Sequence, residues 1–273
     1  MVSMVYYVIM DNSRSRIGIG ITTWKRPEVF KLLLEEIKDL DDRFHFAFVF
    51  DGPFQDNENY DYDFIVKNFG KRFRNYRYGV NVGVAKAKNK CISLLEEFGD
   101  LDYVFLLDDD INILQPDVFD HYIDTAHKSK LEHLMFSHID NNTTTYTLML
   151  SETQGVTTHS LAQGAFMFFT KKHLDKVGKF DENFKNAFEH IDMTFRSYNE
   201  QGLPFWFFLD ALNSQQYIQE RSGGESTITA KGQYDINLQK SALHWRSKYG
   251  QNVGDIPRLP VASLIDILKS KIV

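Results

Sequence analysis

The stretch Tyr103–Leu114, with the sequence YVFLLDDDINIL, places three consecutive aspartates directly after a run of apolar residues. The apolar run is typical of a buried strand. Neighbouring carboxylates repel one another, so the end of such a strand is a costly place for Asp108, Asp109 and Asp110 unless a cation or hydrogen-bond donors compensate them. The stretch therefore predicts a β-strand that ends at a site with a positively charged partner.

Three explanations of the aspartates compete. An EF-hand calcium loop that begins at Asp108 requires glycine at its sixth position and glutamate at its twelfth, where this chain has Ile113 and Phe119, so it is excluded. The second explanation is that the aspartates only cap the following segment. The third is a divalent-cation site, because Asp108 and Asp110 lie on the same side of an extended backbone. Mg²⁺ and Mn²⁺ commonly combine one or two carboxylates with water and phosphate oxygens.

The first half of the chain alternates between predicted strands and helices. Strands are predicted over residues 16–24, 45–53 and 102–110, and helices are predicted from Pro27 and over residues 81–98. This order is typical of a mostly parallel sheet with right-handed crossovers. Ligands of such sheets bind at the carboxyl ends of the strands, where Asp51 and the three aspartates lie.

The second half has a different pattern. Residues 141–150 favour a strand or hairpin, residues 164–178 favour a strand that passes into a short helix, and residues 186–202 favour a helix. Residues 221–233 are rich in glycine and polar residues and are predicted to form a flexible loop. The tail has one apolar helical face, which predicts a helix docked on the protein; peripheral membrane contact through Lys269 and Lys271 is the alternative.

Composition narrows the class of protein. The formal net charge of −6 argues against nucleic-acid binding through bulk charge, and the single Cys91 excludes an internal disulfide and fits a reducing compartment. No apolar run approaches the length of a membrane span, and the N-terminal apolar patch lacks a basic leader and a cleavage site. We therefore expect a cytoplasmic protein without an integral membrane segment.

Six blocks follow one another along residues 16–202: IGITTWKRPEVFKLLLEEI, FVFDGP, NVGVAKAKNKCI, FLLDDDI, GAFMFFTKKHLDKVGKFDENF and FEHIDMTFR. In this order they resemble the GT-A nucleotide-sugar glycosyltransferases, most closely those of family 2. The resemblance implies an α/β, Rossmann-like fold with a mixed, mostly parallel sheet, flanking helices and a C-terminal helical and loop extension. It implies a catalytic domain over residues 1–215, with a nucleotide-binding half at about 16–112 and an acceptor half at about 113–215. Residues 216–273 would pack on this domain.

The resemblance also implies a donor site for a nucleoside diphosphate sugar, with UDP as the expected nucleotide. Asp110 and Asp108 would hold Mn²⁺ or Mg²⁺, and His244 is a candidate for completing the metal shell. Asp51 would contact the nucleoside, and Lys86 would approach the phosphates because it lies at a helix start. The expected donor-binding residues are Thr22, Thr23, Arg26, Asp51, Asn81, Gly83, Lys86, Asp108 and Asp109.

The catalytic base is where the chain departs from the family pattern. Alignment by Arg196 places His190 at the position where inverting relatives carry the acid that removes the acceptor proton. Histidine can accept a proton near neutral pH. Glu189 and Asp192 remain alternative bases, and inversion is expected from the resemblance alone. Trp206 and Gly164 are the expected acceptor-binding residues.

The same residues bear on other possible functions. The segment after the first strand lacks the glycine pattern of a nucleotidyltransferase or a dinucleotide dehydrogenase. The expected acceptor is a hydroxyl of a glycan or lipid-linked glycan, the substrate of a hexosyl- or N-acetylhexosaminyl-transferase. The alternatives are a modified base of viral DNA and an inactive sugar-binding module. A DNA acceptor would use the basic stretch between Phe64 and Leu95, which contains eight Lys or Arg residues and no acid.

Overall fold

The computed structural model describes residues 15–56, 59–138, 143–152, 154–205, 207–221, 234–257 and 259–272. The predicted loop over residues 221–233 therefore lies outside the described residues except for Arg221, and Trp206 and the first 14 residues also lie outside them. None of the described helices is both long and apolar enough to cross a membrane.

Eleven strands are assigned within the described residues. They are β1 (Ile17–Thr23), β2 (Phe44–Phe50), β3 (Phe73–Arg77), β4 (Tyr103–Asp108), β5 (Ile111–Ile113), β6 (His133–Met135), β7 (Thr145–Met149), β8 (Gly155–His159), β9 (Phe166–Thr170), β10 (Phe208–Ala211) and β11 (Ile218–Glu220). The central sheet has the order β3-β2-β1-β4-β9-β6, and only β9 runs antiparallel to its neighbours. A three-stranded antiparallel sheet, β10-β8-β7, and the pair β11-β5 complete the strands.

The helices of the described residues flank these sheets. They are α1 (Pro27–Ile37), α2 (Tyr62–Phe69), α3 (Val84–Glu96), α4 (Val118–Ser129), α5 (Lys171–Val177), α6 (Glu189–Glu200), α7 (Tyr234–Tyr249) and α8 (Val261–Ile272). The expected mixed, mostly parallel sheet with flanking helices is confirmed. The sequence analysis did not identify β3, because three of its five residues FRNYR are polar or basic, as an edge strand of the sheet permits.

The central strand β1 is buried along its whole length and lies between β2 and β4. The helix α3 packs directly over Gly18 and Gly20 of this strand. A Cβ atom at Gly20 would lie 2.7 Å from the Cβ of Cys91 and 2.9 Å from Cδ2 of Leu106. The glycines therefore set how closely α3 approaches the sheet, and with it the position of the N-terminus of that helix.

The C-terminal helices α7 and α8 pack against the rest of the protein. Trp245 of α7 is fully buried. It contacts the rings of Phe184, Phe188, Phe195, Phe205 and Tyr249. Helix α8 buries Leu264 and Leu268 and packs on α4. Lys271, which the membrane alternative would use, donates a hydrogen bond to the carbonyl of Gln201.

The close packing of α3 on β1 predicts the effect of Gly20→Ala. The added methyl would overlap Cys91, whose own Cβ cannot rotate away, so we expect a loss of about 1–3 kcal/mol in the free energy of unfolding. Urea unfolding measures this loss. Gly254→Ala is the matched control, because a Cβ at that exposed position meets nothing within 4 Å. Equal stability of the two variants would contradict the packing described for α3.

Candidate active site

Two adjoining cavities lie at the carboxyl ends of the parallel strands. The inner cavity, of about 140 Å³, is lined by Thr22, Thr23, Trp24, Arg26, Asp51 and Asn81, among others. The outer cavity, of about 610 Å³, extends to α6 and includes Glu189 and His190. Both cavities are lined by Asp108 and Asp110, so these two carboxylates stand at the junction between them.

The middle aspartate, Asp109, points into the protein. It is fully buried, accepts a hydrogen bond from Thr23 Oγ1 at 2.6 Å and forms an ion pair with Arg26. Burial raises the pKa of Asp109 to about 7, although the charge of Arg26 opposes this rise. Asp109 lines neither cavity, which does not fit the expectation that it contacts the donor. The side chain instead anchors Arg26 beneath the cleft.

Asp108 is compensated by a lysine that the sequence analysis did not single out. Lys88 of α3 is only 1% exposed, and its Nζ lies 3.1 Å from Asp108 Oδ1 and 2.6 Å from the carbonyl oxygen of Gly164. Thr22 Oγ1 donates to the same carboxylate at 3.1 Å. The expected phosphate contact, Lys86, is instead exposed and lies over the ring of Tyr78, outside both cavities.

A signal for Lys88 is present in the sequence. Lys88 falls three, four and seven residues before Cys91, Ile92 and Leu95, which are buried on the sheet-facing side of α3. Lys86 is out of phase with this apolar face. A lysine in register with buried residues must have an anionic or carbonyl partner, because an unpaired buried charge is costly. Helical periodicity thus distinguishes the two lysines.

Asp110 is the most accessible of the three aspartates. Its side chain is 32% exposed, and Arg26 Nη1 donates to its Oδ2 at 2.8 Å. Its backbone carbonyl accepts a hydrogen bond from the backbone of Arg221 at 2.8 Å. The side chain of Arg221 pairs with Glu36 of α1 and lines the outer cavity, so it is a further cation beside the aspartates that the sequence did not reveal.

Asp51, at the end of β2, organises the turn that leads into α3. Its carboxylate accepts from the backbone of Val82 at 2.7 Å, the backbone of Gly83 at 3.0 Å and the side chain of Asn81 at 2.9 Å. Burial raises the pKa of Asp51 even though these N–H groups favour its charged form. Asp51 and Asn81 line the inner cavity, as expected. The carboxylate of Asp51, however, is already hydrogen-bonded to the residues of this turn.

Gly83 has a steric role in this turn. Its φ is +92°, and a Cβ would lie 2.3 Å from the carbonyl oxygen of Lys185. The neighbouring Asn186 accepts a hydrogen bond from the backbone of Val84 at 3.1 Å. The N–H groups of residues 82–84 are therefore bound by Asp51 and Asn186, and Gly83 allows the 185–186 segment to approach the start of α3.

His190 and Glu189 stand together at the start of α6, on the wall of the outer cavity. His190 Nδ1 lies 3.1 Å from Oε1 of the buried Glu189. Burial alone would raise the pKa of Glu189, but the hydrogen bond to His190 and the charge of Lys88 hold it below its ordinary value. Gly164 has a φ of +76° and packs against the imidazole, since a Cβ there would lie 2.6 Å from His190 Cβ.

Asp192 and His244 are placed elsewhere. Asp192 is fully buried and accepts hydrogen bonds from Arg196 Nε at 2.9 Å, Lys248 Nζ at 2.7 Å and Tyr249 Oη at 2.6 Å. His244 Nε2 lies 3.0 Å from Asp181. Neither residue lines a cavity with Asp110. Within the part of the chain that the structure describes, no three His, Cys, Asp or Glu side chains form a cluster suited to a metal ion.

The pairing of buried Lys88 with the partly buried Asp108 predicts that Lys88→Met is destabilising. Removal of the ammonium group leaves a largely desolvated carboxylate without its cation, and we expect the free energy of unfolding to fall by about 2–4 kcal/mol. The matched control is Lys86→Met, two residues earlier on the exposed side of α3, which should have little effect. Denaturant unfolding measures the stability of both variants. Equal stabilities would contradict a stabilising role for the ion pair between Lys88 and Asp108.

The chain is similar to known proteins both in sequence and in structure. No family model matches the chain. A curated relative, the uncharacterized glycosyltransferase R363 of Acanthamoeba polyphaga mimivirus, is 26% identical over 249 residues, which cover 85% of this chain and 93% of the relative. The sequence similarity thus extends over nearly the whole of a protein that carries the glycosyltransferase name.

Solved structures share the fold. S. aureus TarS 1-349 matches with a TM-score of 0.53 and 13% identity, over 93% of this chain and 69% of TarS 1-349. The mannosyltransferase PcManGT from Pyrobaculum calidifontis, in complex with GDP-Man and Mn²⁺, matches with a TM-score of 0.58 and 11% identity, over 95% and 69% of the two chains. The chain thus has the mixed α/β fold of these neighbours, and its sequence similarity to the viral relative supports a glycosyltransferase of the GT-A type.

Proposed function

We propose that the protein transfers a hexosyl or N-acetylhexosaminyl group from a UDP-sugar to a hydroxyl of a glycan or lipid-linked glycan, with inversion and with the help of a divalent cation. The observation that carries the proposal is the position of Asp108 and Asp110 between two cavities. The inner cavity would hold the nucleotide, and the outer cavity would hold the sugar and its acceptor beside His190.

The inner cavity has the groups that a nucleoside diphosphate requires. Trp24 lines it with a flat aromatic surface suited to stacking on a base. Thr22 and Asn81 add hydrogen-bonding groups, and Arg26 adds a positive charge for the phosphates. UDP is the proposed nucleotide because TarS has been solved with UDP and with UDP-GlcNAc in structures that share this fold.

The carboxylates at the junction fit a divalent cation. Mg²⁺ and Mn²⁺ prefer oxygen ligands and often take only one or two carboxylates, the rest being waters and phosphate oxygens. Asp108 and Asp110 would supply the two carboxylates, without His244, which is bound to Asp181. The PcManGT complex with GDP-Man and Mn²⁺ supports this assignment. When bound, the ion would offset the charge that develops on the leaving diphosphate.

His190 is the proposed base. The Glu189 carboxylate accepts Nδ1–H, which leaves Nε2 able to take a proton from the acceptor hydroxyl. The acceptor oxygen would bond to the anomeric carbon while the bond from that carbon to the diphosphate oxygen breaks. The hydroxyl proton would pass to Nε2. Asp192 is not proposed as the base, because three donors already bind its carboxylate, and two of them, Lys248 and Tyr249, hold α6 to α7.

A glycan acceptor is proposed over a nucleic acid because the basic stretch is largely engaged within the chain. Arg72 donates to the carbonyls of Leu40 and Asp41. Arg74 pairs with Glu97 and lies over the ring of Phe98. These guanidinium groups stabilise the edge of the sheet, and no described contact directs them toward the outer cavity.

The donor proposal predicts stabilisation by one nucleotide together with a metal. Purified protein is heated with UDP, GDP, CDP or dTDP, each with and without Mn²⁺. UDP with Mn²⁺ at a hundred times its dissociation constant should stabilise the fold by about 2.7 kcal/mol, seen as a higher melting temperature. Asp110→Asn should lose the metal-dependent part, whereas the exposed Asp63→Asn should retain it. A rise in melting temperature with another nucleotide alone would make that nucleotide the donor in place of UDP. No rise with any nucleotide would overturn the donor site.

The assignment of the base predicts that His190→Gln slows turnover without weakening donor binding. Loss of a general base typically costs about 10²–10⁴-fold in kcat. The release of UDP from UDP-glucose and UDP-N-acetylglucosamine, with alkyl glycosides as acceptors, measures turnover, and the UDP-induced melting shift measures binding. Asp192→Asn should lower the melting temperature and change turnover far less. A larger loss of turnover for Asp192→Asn than for His190→Gln would assign the base to Asp192.

A further inference from the structure

Arg26 connects the buried aspartate to the accessible one. Its guanidinium pairs with Asp109 through Nη2 and donates to Asp110 Oδ2 through Nη1 at 2.8 Å. The backbone is fixed as well, because Arg26 N donates to Tyr60 Oη at 3.1 Å and Pro27 follows in the first turn of α1. The guanidinium is therefore held in place independently of its contact with Asp110.

The two contacts of the guanidinium differ in kind. Asp109 is fully buried, and its other oxygen is bound by Thr23, so the carboxylate of this ion pair has no access to solvent. Asp110 is partly exposed and lines both cavities, so its carboxylate can exchange partners. The Arg26 side chain is 19% exposed and lines the inner cavity, so part of it is open to a ligand there. The permanent partner is Asp109, and the exchangeable partner is Asp110.

We propose that Arg26 is a positioning residue that occupies the metal-facing carboxylate of Asp110 until the donor arrives, so that cation and nucleotide bind cooperatively. This inference rests on the proposed metal-dependent use of UDP-sugars. Arg26 and Lys88 compensate the aspartates from within the protein, so a cation alone must compete with Arg26 for Asp110. The donor's diphosphate offers a second set of ligands to the cation and a new acceptor to the guanidinium.

The expected size of this effect follows from competition. A partly exposed ion pair holds its carboxylate for most of the time but not permanently, so the apparent affinity for a cation alone falls by about five- to tenfold. The apparent affinity for the cation rises by the same factor when the diphosphate of the nucleotide replaces Asp110 as the partner of Arg26. By linkage, Mn²⁺ must then strengthen UDP binding by the factor by which UDP strengthens Mn²⁺ binding.

The experiment measures free Mn²⁺ by its electron paramagnetic resonance signal during titration of the full-length protein, with and without UDP. Arg26→Lys is the test variant, because a single ammonium can remain with buried Asp109 but lacks the planar fork that reaches Asp110 as well. Arg26→Gln is the second variant. The matched control is Arg43→Lys, since Arg43 also bridges two aspartates, Asp41 and Asp120, and lines neither cavity.

Wild-type protein should bind Mn²⁺ weakly alone and about five- to tenfold more tightly with UDP. Arg26→Lys should bind Mn²⁺ alone about five- to tenfold more tightly than wild type and lose most of the coupling, while Arg43→Lys should resemble wild type. Coupled binding in wild type with no tighter Mn²⁺ binding by either Arg26 variant overturns the role of Arg26 and leaves the proposed function standing. UDP binding that Mn²⁺ never affects overturns both this inference and the proposed metal dependence.

Discussion

The site depends on the compensation of three adjacent carboxylates by two cations from neighbouring elements. Arg26, at the start of α1, pairs with Asp109 and Asp110, and Lys88, on the buried face of α3, pairs with Asp108. Without these cations the end of β4 would carry an uncompensated cluster of charge in a poorly solvated place. The start of the crossover helix α1 and the buried face of the crossover helix α3 thus supply the charges that make the strand end stable.

The same constraint explains the packing around the cleft. Lys88 reaches Asp108 only because α3 lies close to β1, which Gly18 and Gly20 permit. Its second bond, to the carbonyl of Gly164, connects α3 to the segment that precedes β9. Gly164 in turn leaves room for His190. A single buried lysine therefore couples the carboxylates to the wall that carries the proposed base.

The C-terminal helix α7 holds the other side of α6. Lys248 and Tyr249 donate to Asp192, and Trp245 fills the aromatic cluster beneath them. Asp192, which motif alignment suggests as a base, is therefore held in structural contacts. The imidazole of His190, two residues earlier, faces the cavity instead. Helical geometry accounts for the difference, because residues 190 and 192 of one helix lie about 200° apart around its axis.

The sequence by itself determined the alternation of strands and helices and the sheet end at which the aspartates lie, because these follow from periodicity. The class of enzyme was an expectation from the resemblance of the ordered blocks to a known family. Only the tertiary structure decided that Asp109 faces inward, that Asp108 is the partner of Lys88, and that His244 pairs with Asp181. Each of these depends on contacts between residues far apart in the chain. Periodicity assigns a residue to a face of its own element, but only the packing of that element decides which charge it meets.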